Sequence, residues 1–194
     1  KVCGLVYCNP LPGDGDMAAF HHDQYAADEQ SAHPDRLHKL DPEHSQQRLY
    51  SPTYQQWAKK LLCDLSKNVA SKSARPLRLL EVGCAAGGIL KAARDLGMKA
   101  TGTEVSPEAA HYGIEQEKLD IRIGLLEALK WPDASFDIVL LHDVIEHVPS
   151  PMELMKECAR LLAPGGILCA HTVNVDAMTV DCVGKNFFLA DTTG

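Results

Sequence analysis

Leu79-Leu80-Glu81-Val82-Gly83-Cys84-Ala85-Ala86-Gly87-Gly88 is the stretch on which the fold turns. An apolar pair runs into an acid, then a tight loop of small residues, and a helical pattern opens near Gly88. A strand-to-helix turn without bulky Cβ groups lets a ligand approach the backbone, and the helix N-terminus offers unpaired N–H donors. The stretch is suited to holding a polar ligand. A plain tight turn would use the same residues, so the flanking chain has to decide.

From Pro76 onward, short apolar runs alternate with helical stretches, the signature of a parallel sheet covered on both faces. Strands are expected at residues 77–82, 100–105, 121–125, 136–142 and 166–171, and helices at 87–96, 107–118 and 151–162. Ser106-Pro107 and Ser150-Pro151-Met152-Glu153 read as helix starts, the second with a glutamate placed for a capping box, and Gly97 suits a helix end. In the last helix Met152, Met155, Ala159 and Leu162 mark the expected buried stripe. Upstream, Leu49, Trp57, Leu61, Leu62 and Leu65 recur at near-helical spacing, predicting one or two helices that lid the site.

Glu104 ends the second expected strand, twenty-one positions after Gly83, where a carboxylate can accept both hydrogen bonds of a ribose diol. His142 and His147 are the visible general-base candidates, because imidazole titrates near neutral pH.

The whole chain, 194 residues, suits one globular domain with a short appendage. Nineteen basic against twenty-six acidic residues give a formal charge of −7, which argues against nucleic acid as the main partner. The 45% hydrophobic content contains no apolar run approaching the roughly 20 residues of a membrane span. Seven cysteines, an odd number without a secretory leader, read as reduced and cytoplasmic. Residues 1–45, rich in Pro, Gly, Asp and His, read as a strand and a loop-dominated lead-in, and residues 46–194 are expected to form the core with its N-terminal lid helices. A start at Lys1 and an end in Asp191-Thr192-Thr193-Gly194 suggest a piece of something longer.

Four ordered motifs carry a family resemblance between Pro76 and Asn174. Leu79 to Cys84 resembles the first motif of class I S-adenosylmethionine-dependent methyltransferases, Gly102-Thr103-Glu104-Val105-Ser106-Pro107 the second, and Ser135-Phe136-Asp137-Ile138-Val139 the fourth-strand motif. His142-Asp143-Val144-Ile145-Glu146-His147-Val148 with Leu161-Leu162-Ala163-Pro164-Gly165-Gly166 resembles the subgroup that includes ubiquinone-biosynthesis O-methyltransferases. The resemblance implies a Rossmann-like α/β fold, S-adenosylmethionine as cofactor, and a small-molecule methyl acceptor, with O-methylation favoured. It implies that Gly83, Ala85 and Gly87 line the cofactor's amino-acid end, with Glu81 supporting the loop or reaching the ammonium through water. Glu104 and Val105 are placed at the ribose, Leu126 and Glu127 at the adenine, and His142 beside the sulfonium.

Departures from the family pattern are expected to matter. Ala85 stands where the family usually has glycine, and the family's C-terminal antiparallel hairpin is read as missing. Asp143, Glu146 and His147 resemble a cation-binding pattern of some relatives, yet many metal-free relatives share the Glu-His pair, so no metal is expected. Cys3 and Cys8 resemble the tail of a zinc ribbon without its second ligand pair. A nicotinamide-dependent oxidoreductase is one rival reading, because Gly83-x-Ala85-x-x-Gly88 approximates the dinucleotide fingerprint. A non-catalytic cofactor-binding module is the other.

Overall fold

The computed structural model describes residues 47–70 and 75–172. Helix α1 (Pro52–Asn68) precedes a repeating strand–helix pattern: β1 (Arg78–Val82), α2 (Gly88–Asp95), β2 (Lys99–Glu104), α3 (Pro107–Glu115), β3 (Ile121–Ile123), β4 (Phe136–His142), α4 (Pro151–Leu161) and β5 (Leu162–His171). Single 3-10 turns, Leu126–Leu129 and Ile145–His147, interrupt the longer connections. The five strands lie in the order β3-β2-β1-β4-β5, every neighbouring pair parallel. This is the expected Rossmann-like sheet, and its order reverses between β1 and β4, where ligands of such sheets bind.

A parallel sheet sandwiched by helices has to be apolar on both faces, and β4 is buried from Phe136 through Leu141. The period-two alternation of strands sorts its side chains. Leu79, Ile138 and Leu140 face α1, α2 and α3 through Ala58, Leu62, Ile89, Leu90 and Ala110. Leu80, Val82, Val139 and Leu141 face α4 through Leu154, Cys158 and Leu161. Each such leucine or isoleucine contributes about 1.5–3 kcal/mol by leaving water.

A buried acid ties this frame together at one end of the sheet. The Asp137 side chain is 1% exposed. It accepts hydrogen bonds from the Arg75 guanidinium at 2.7 and 2.8 Å, and from the Arg78 backbone N–H at 2.9 Å. Arg78 adds a guanidinium bond to Oδ1 at 3.0 Å. These bonds, Arg75's first, hold the Asp137 carboxyl far below the usual carboxylate range against the opposing effect of burial. The pair fastens the start of β1 to β4.

Several sequence expectations are confirmed and several corrected. Ser106 caps α3, its hydroxyl accepting the Ala109 N–H at 3.1 Å. Gly97 follows α2 with φ +77°, as a helix-ending glycine should. The capping box at α4 does not form: Ser150 makes no side-chain cap, and Glu153 pairs with Lys156 at 2.7 Å instead. The buried stripe of α4 is Leu154, Cys158 and Leu161, whereas Met152 is 68% exposed. Both phases carry apolar residues at helical spacing, and the one with Leu154, Cys158 and Leu161 packs with Leu80, Val139 and Leu141 of the sheet. Helix α3 ends three residues early, and β3 covers only three positions.

Strand β5 starts four residues before its expected beginning. Leu162 already pairs with Phe136, and the next register pair is Ile138 with Ile167, so Ala163-Pro164-Gly165-Gly166 bulges from the ladder. Gly165 has φ +76° and its carbonyl accepts the Ala70 N–H at 3.0 Å. The lead-in of residues 1–45, the zinc-ribbon resemblance at Cys3 and Cys8, and the hairpin expectation lie outside the described residues.

Candidate functional site: the β1–α2 loop and the strand ends beside it

The loop after β1 takes three left-handed turns within five residues. Gly83, Ala85 and Gly87 have φ of +66°, +47° and +79°. A Cβ at Gly83 would stand 2.6 Å from Val144 Cγ2, so only glycine allows the segment after β4 to close over the loop. The Cys84 N–H donates to the Thr103 carbonyl at 2.9 Å, and the Gly87 N–H to the Cys84 carbonyl at 2.8 Å. Gly102 is needed beneath, because a Cβ there would run into the Cys84 thiol.

Glu104 locks this conformation from β2. Its Oε2 accepts the Ala85 N–H at 2.9 Å and its Oε1 accepts the Ser106 N–H at 2.9 Å. At 8% exposure the carboxylate is buried, yet each oxygen keeps lone-pair capacity for a further donor. Val105 beside it is half-buried. Ala85 therefore adopts the backbone shape that glycine adopts elsewhere, and its amide is occupied. For a residue with a Cβ that shape costs about 1–2 kcal/mol. Ala85→Gly is expected to raise stability by about 0.5–1 kcal/mol, the relief offset by the glycine's larger unfolded-state entropy. Thermal unfolding by circular dichroism checks this, and a lowered midpoint would contradict the strain.

Glu81 is the second acid of the site. It is 4% exposed, and its Oε2 has no hydrogen-bond partner. Burial, reinforced by the Glu104 charge and opposed by the Leu90 N–H, pushes its carboxyl well above the usual range. An orphaned buried acceptor beside a helix N-terminus and a glycine cradle suits a ligand that carries a cation.

The segment around α1 covers the loop from one side. The Tyr50 hydroxyl donates to the Ala86 carbonyl at 2.6 Å, and Tyr50 packs edge-on against Tyr112. Gln55 Nε2 donates to the Gly88 carbonyl at 2.9 Å and the Leu49 carbonyl at 2.7 Å. Neither Tyr50 nor Gln55 stood out in the sequence; the polar residues interleaved in and before the α1 pattern were the available signal.

His142 ends β4 one position beyond the Val82–Leu141 register pair, beside Gly83. Its ring lies 5.2 Å from the half-exposed Trp57 and 4.8 Å from His171 at the end of β5. Burial holds its imidazole below the usual histidine value, opposed by the neighbouring Asp143. His147 is exposed in the 3-10 turn and stands apart from this cluster. Leu126 is 2% exposed and packs in the α4-side core, while Glu127 is exposed. The loop thus gathers Glu81, Gly83, Ala85, Gly87 and Glu104, with His142 at its rim.

A Rossmann-like sheet with a glycine loop at its switch point and an acid ending β2 is an architecture shared with nucleoside-binding α/β domains. The family model described as "Methyltransferase domain" matches residues 80–170. The chain is 31% identical over 119 residues to a ubiquinone biosynthesis O-methyltransferase of Maricaulis maris, with 58% of this chain and 47% of the relative covered. It is 36% identical over 113 residues to the protein of that name from Xanthomonas campestris, with 55% and 47% covered. The chain thus spans about half the length of these curated relatives. Among solved structures, a SAM-dependent methyltransferase from Thermotoga maritima superposes with a TM-score of 0.54 at 24% identity, covering 77% of this chain and 66% of that one. Residues 80–170 thus match a methyltransferase domain, carried on a Rossmann-like parallel sheet.

Proposed function

We propose that this chain transfers a methyl group from S-adenosylmethionine to a hydroxyl of a small molecule. The observation that carries the reading is the β1–α2 loop held in its ligand-ready shape by Glu104, with the unpartnered Glu81 oxygen beneath it. Glu81 would meet the cofactor's ammonium, Gly83 and Gly87 admit its backbone-like end, and Glu104 would use its remaining lone pairs on the ribose hydroxyls. Leu126 and Glu127 would border the adenine. The cofactor supplies a methyl group on a positive sulfur, which an acceptor lone pair displaces in line.

The protein's part is positioning and removal of the acceptor's proton. Of the two histidines, His142 stands at the rim of the loop with a ring nitrogen able to take that proton; His147 does not. Oxygen as the acceptor atom is supported by the similarity to ubiquinone biosynthesis O-methyltransferases. The acidic balance supports a small, non-nucleic-acid partner, the cysteine usage supports a cytoplasmic setting, and no described helix is long and apolar enough to cross a membrane.

Calorimetric titration with S-adenosylhomocysteine, with NAD as comparator, tests the reading. Selective binding of the first is expected; binding of NAD alone would overturn it. A pH series adds a signature. A neutral Glu81 has to lose its proton to meet an ammonium, so affinity rises with pH through its elevated pKa. Glu81→Gln should flatten that slope.

A further inference from the structure

The ends of β4 and β5 carry a second arrangement that the cofactor reading does not use. Among the described residues, one group of three side chains brings metal-ligating atoms together: His142, Asp143 and His171, whose ligand atoms all lie within 4.8 Å of one another. His171 Nδ1 is 3.0 Å from Asp143 Oδ1, and His142 Nε2 is 3.5 Å from Asp143 Oδ2. On a tetrahedral zinc-type ion with ligands near 2.0–2.1 Å, neighbouring ligand atoms sit roughly 3.3 Å apart. Each imidazole already stands near that spacing from one oxygen of the Asp143 carboxylate, His171 from Oδ1 and His142 from Oδ2, so the carboxylate can join both rings in one coordination shell.

The backbone fixes the three residues independently of their side chains. His142 and His171 are register partners on adjacent parallel strands, so their Cβ atoms leave the sheet on the same face. The Asp143 N–H donates to the His171 carbonyl at 2.9 Å, and Asp143 takes φ +55° to make that turn. Aspartate tolerates this left-handed shape, and here the turn leaves its carboxylate beside both imidazoles. The cation-binding pattern read from sequence grouped Asp143 with Glu146 and His147; the fold instead joins Asp143 to the residue before it and to one from another strand.

We propose that His142, Asp143 and His171 bind a first-row divalent transition-metal ion of the zinc type. Two imidazoles and one carboxylate favour zinc, cobalt or nickel over magnesium, which prefers an all-oxygen shell. Three protein ligands leave the ion an open position, as in catalytic rather than structural sites. Asp143 and His171, 51% and 61% exposed, put that position within reach of a small molecule. Binding of the ion is independent of the methyl-transfer reading. Its use there rests on that reading: bound at these three residues, the ion would supply Lewis acidity to the acceptor's hydroxyl, easing loss of its proton to water.

Titration of the full chain with Co(II), followed by its visible absorption bands and then by competition with Zn(II) and Mg(II), tests the site. One equivalent of cobalt is expected, displaced by zinc and not by magnesium. His171→Ala and Asp143→Asn should each weaken binding by more than the tenfold to hundredfold typical of losing an outer-shell partner. A thiolate charge-transfer band, or affinity untouched by both variants, would put the ion elsewhere and overturn the proposal. So would the absence of binding in a chain whose thermal unfolding is cooperative. S-adenosylhomocysteine titration of the same samples separates the two readings: cobalt bound without the nucleoside sinks methyl transfer alone, and the reverse sinks the metal alone.

Discussion

Asp137→Asn is expected to destabilise the fold by about 3 kcal/mol, the lower end of the range for breaking a buried ion pair. For a chain of this size that lowers the thermal midpoint by roughly 6–12 °C. The carboxylate, 1% exposed, holds two guanidiniums and a backbone N–H. An amide of the same shape presents one oxygen and an NH2 group to a set of donors. Arg75→Ala is expected to cost less, because Arg78 still satisfies the carboxylate and Arg75 is partly exposed. The sign of the pH dependence follows from the depressed pKa. In the unfolded chain Asp137 titrates in the ordinary carboxylate range, so its stabilisation is full above that range. It drains away as pH falls toward the folded value. Wild-type and Asp137→Asn curves of unfolding free energy should therefore converge on acidification. Parallel curves, or an unchanged midpoint, would mean that the pair contributes nothing.

The same residue shows how far sequence carried. Phe136-Asp137 was legible as part of a family motif, and β4 as an apolar run, but nothing near Asp137 in the chain announced Arg75 and Arg78 some sixty positions upstream. The strands β1 and β4 were legible because burial on both faces demands near-continuous apolar runs, whereas β2, Lys99-Ala100-Thr101-Gly102-Thr103-Glu104, was legible only from the motif that it ends in. The phase of α4 was not, since Met152-x-x-Met155 and Leu154-x-x-x-Cys158 both satisfy a helical period and only contact with the sheet selects one. The bulge in β5 was hidden for a similar reason: Pro164-Gly165-Gly166 looks like a turn, and only pairing with Phe136 shows that the strand has already begun. At the site, glycines and Glu104 were visible because a tight loop restricts residue choice. His171 was invisible because its significance comes from strand register, a distance of 29 positions in sequence and one hydrogen-bonded neighbour in space.

Glu104→Ala is expected to reduce S-adenosylhomocysteine affinity by roughly a hundredfold or more. The carboxylate accepts two backbone N–H bonds that hold the loop, and hydrogen bonds to a charged group are worth about 1.5–3 kcal/mol each. Losing the pair removes at least about 3 kcal/mol of loop organisation, and every 1.4 kcal/mol is tenfold in affinity. The ribose contacts proposed for its remaining lone pairs add to that. Glu104→Gln separates the two contributions. Its amide oxygen still accepts one N–H, while its NH2 faces the other donor, so the loop loosens by one bond and affinity should fall by an intermediate amount. If both variants bind as tightly as wild type, Glu104 serves the fold alone and the cofactor lies elsewhere. If Glu104→Ala loses binding while its unfolding midpoint drops by only a few degrees, the loss belongs to the site. Ala85 sharpens the test, because its amide is the Glu104 partner and its left-handed turn is strained: Ala85→Gly combined with Glu104→Gln should recover part of the affinity by making the same loop shape easier to reach.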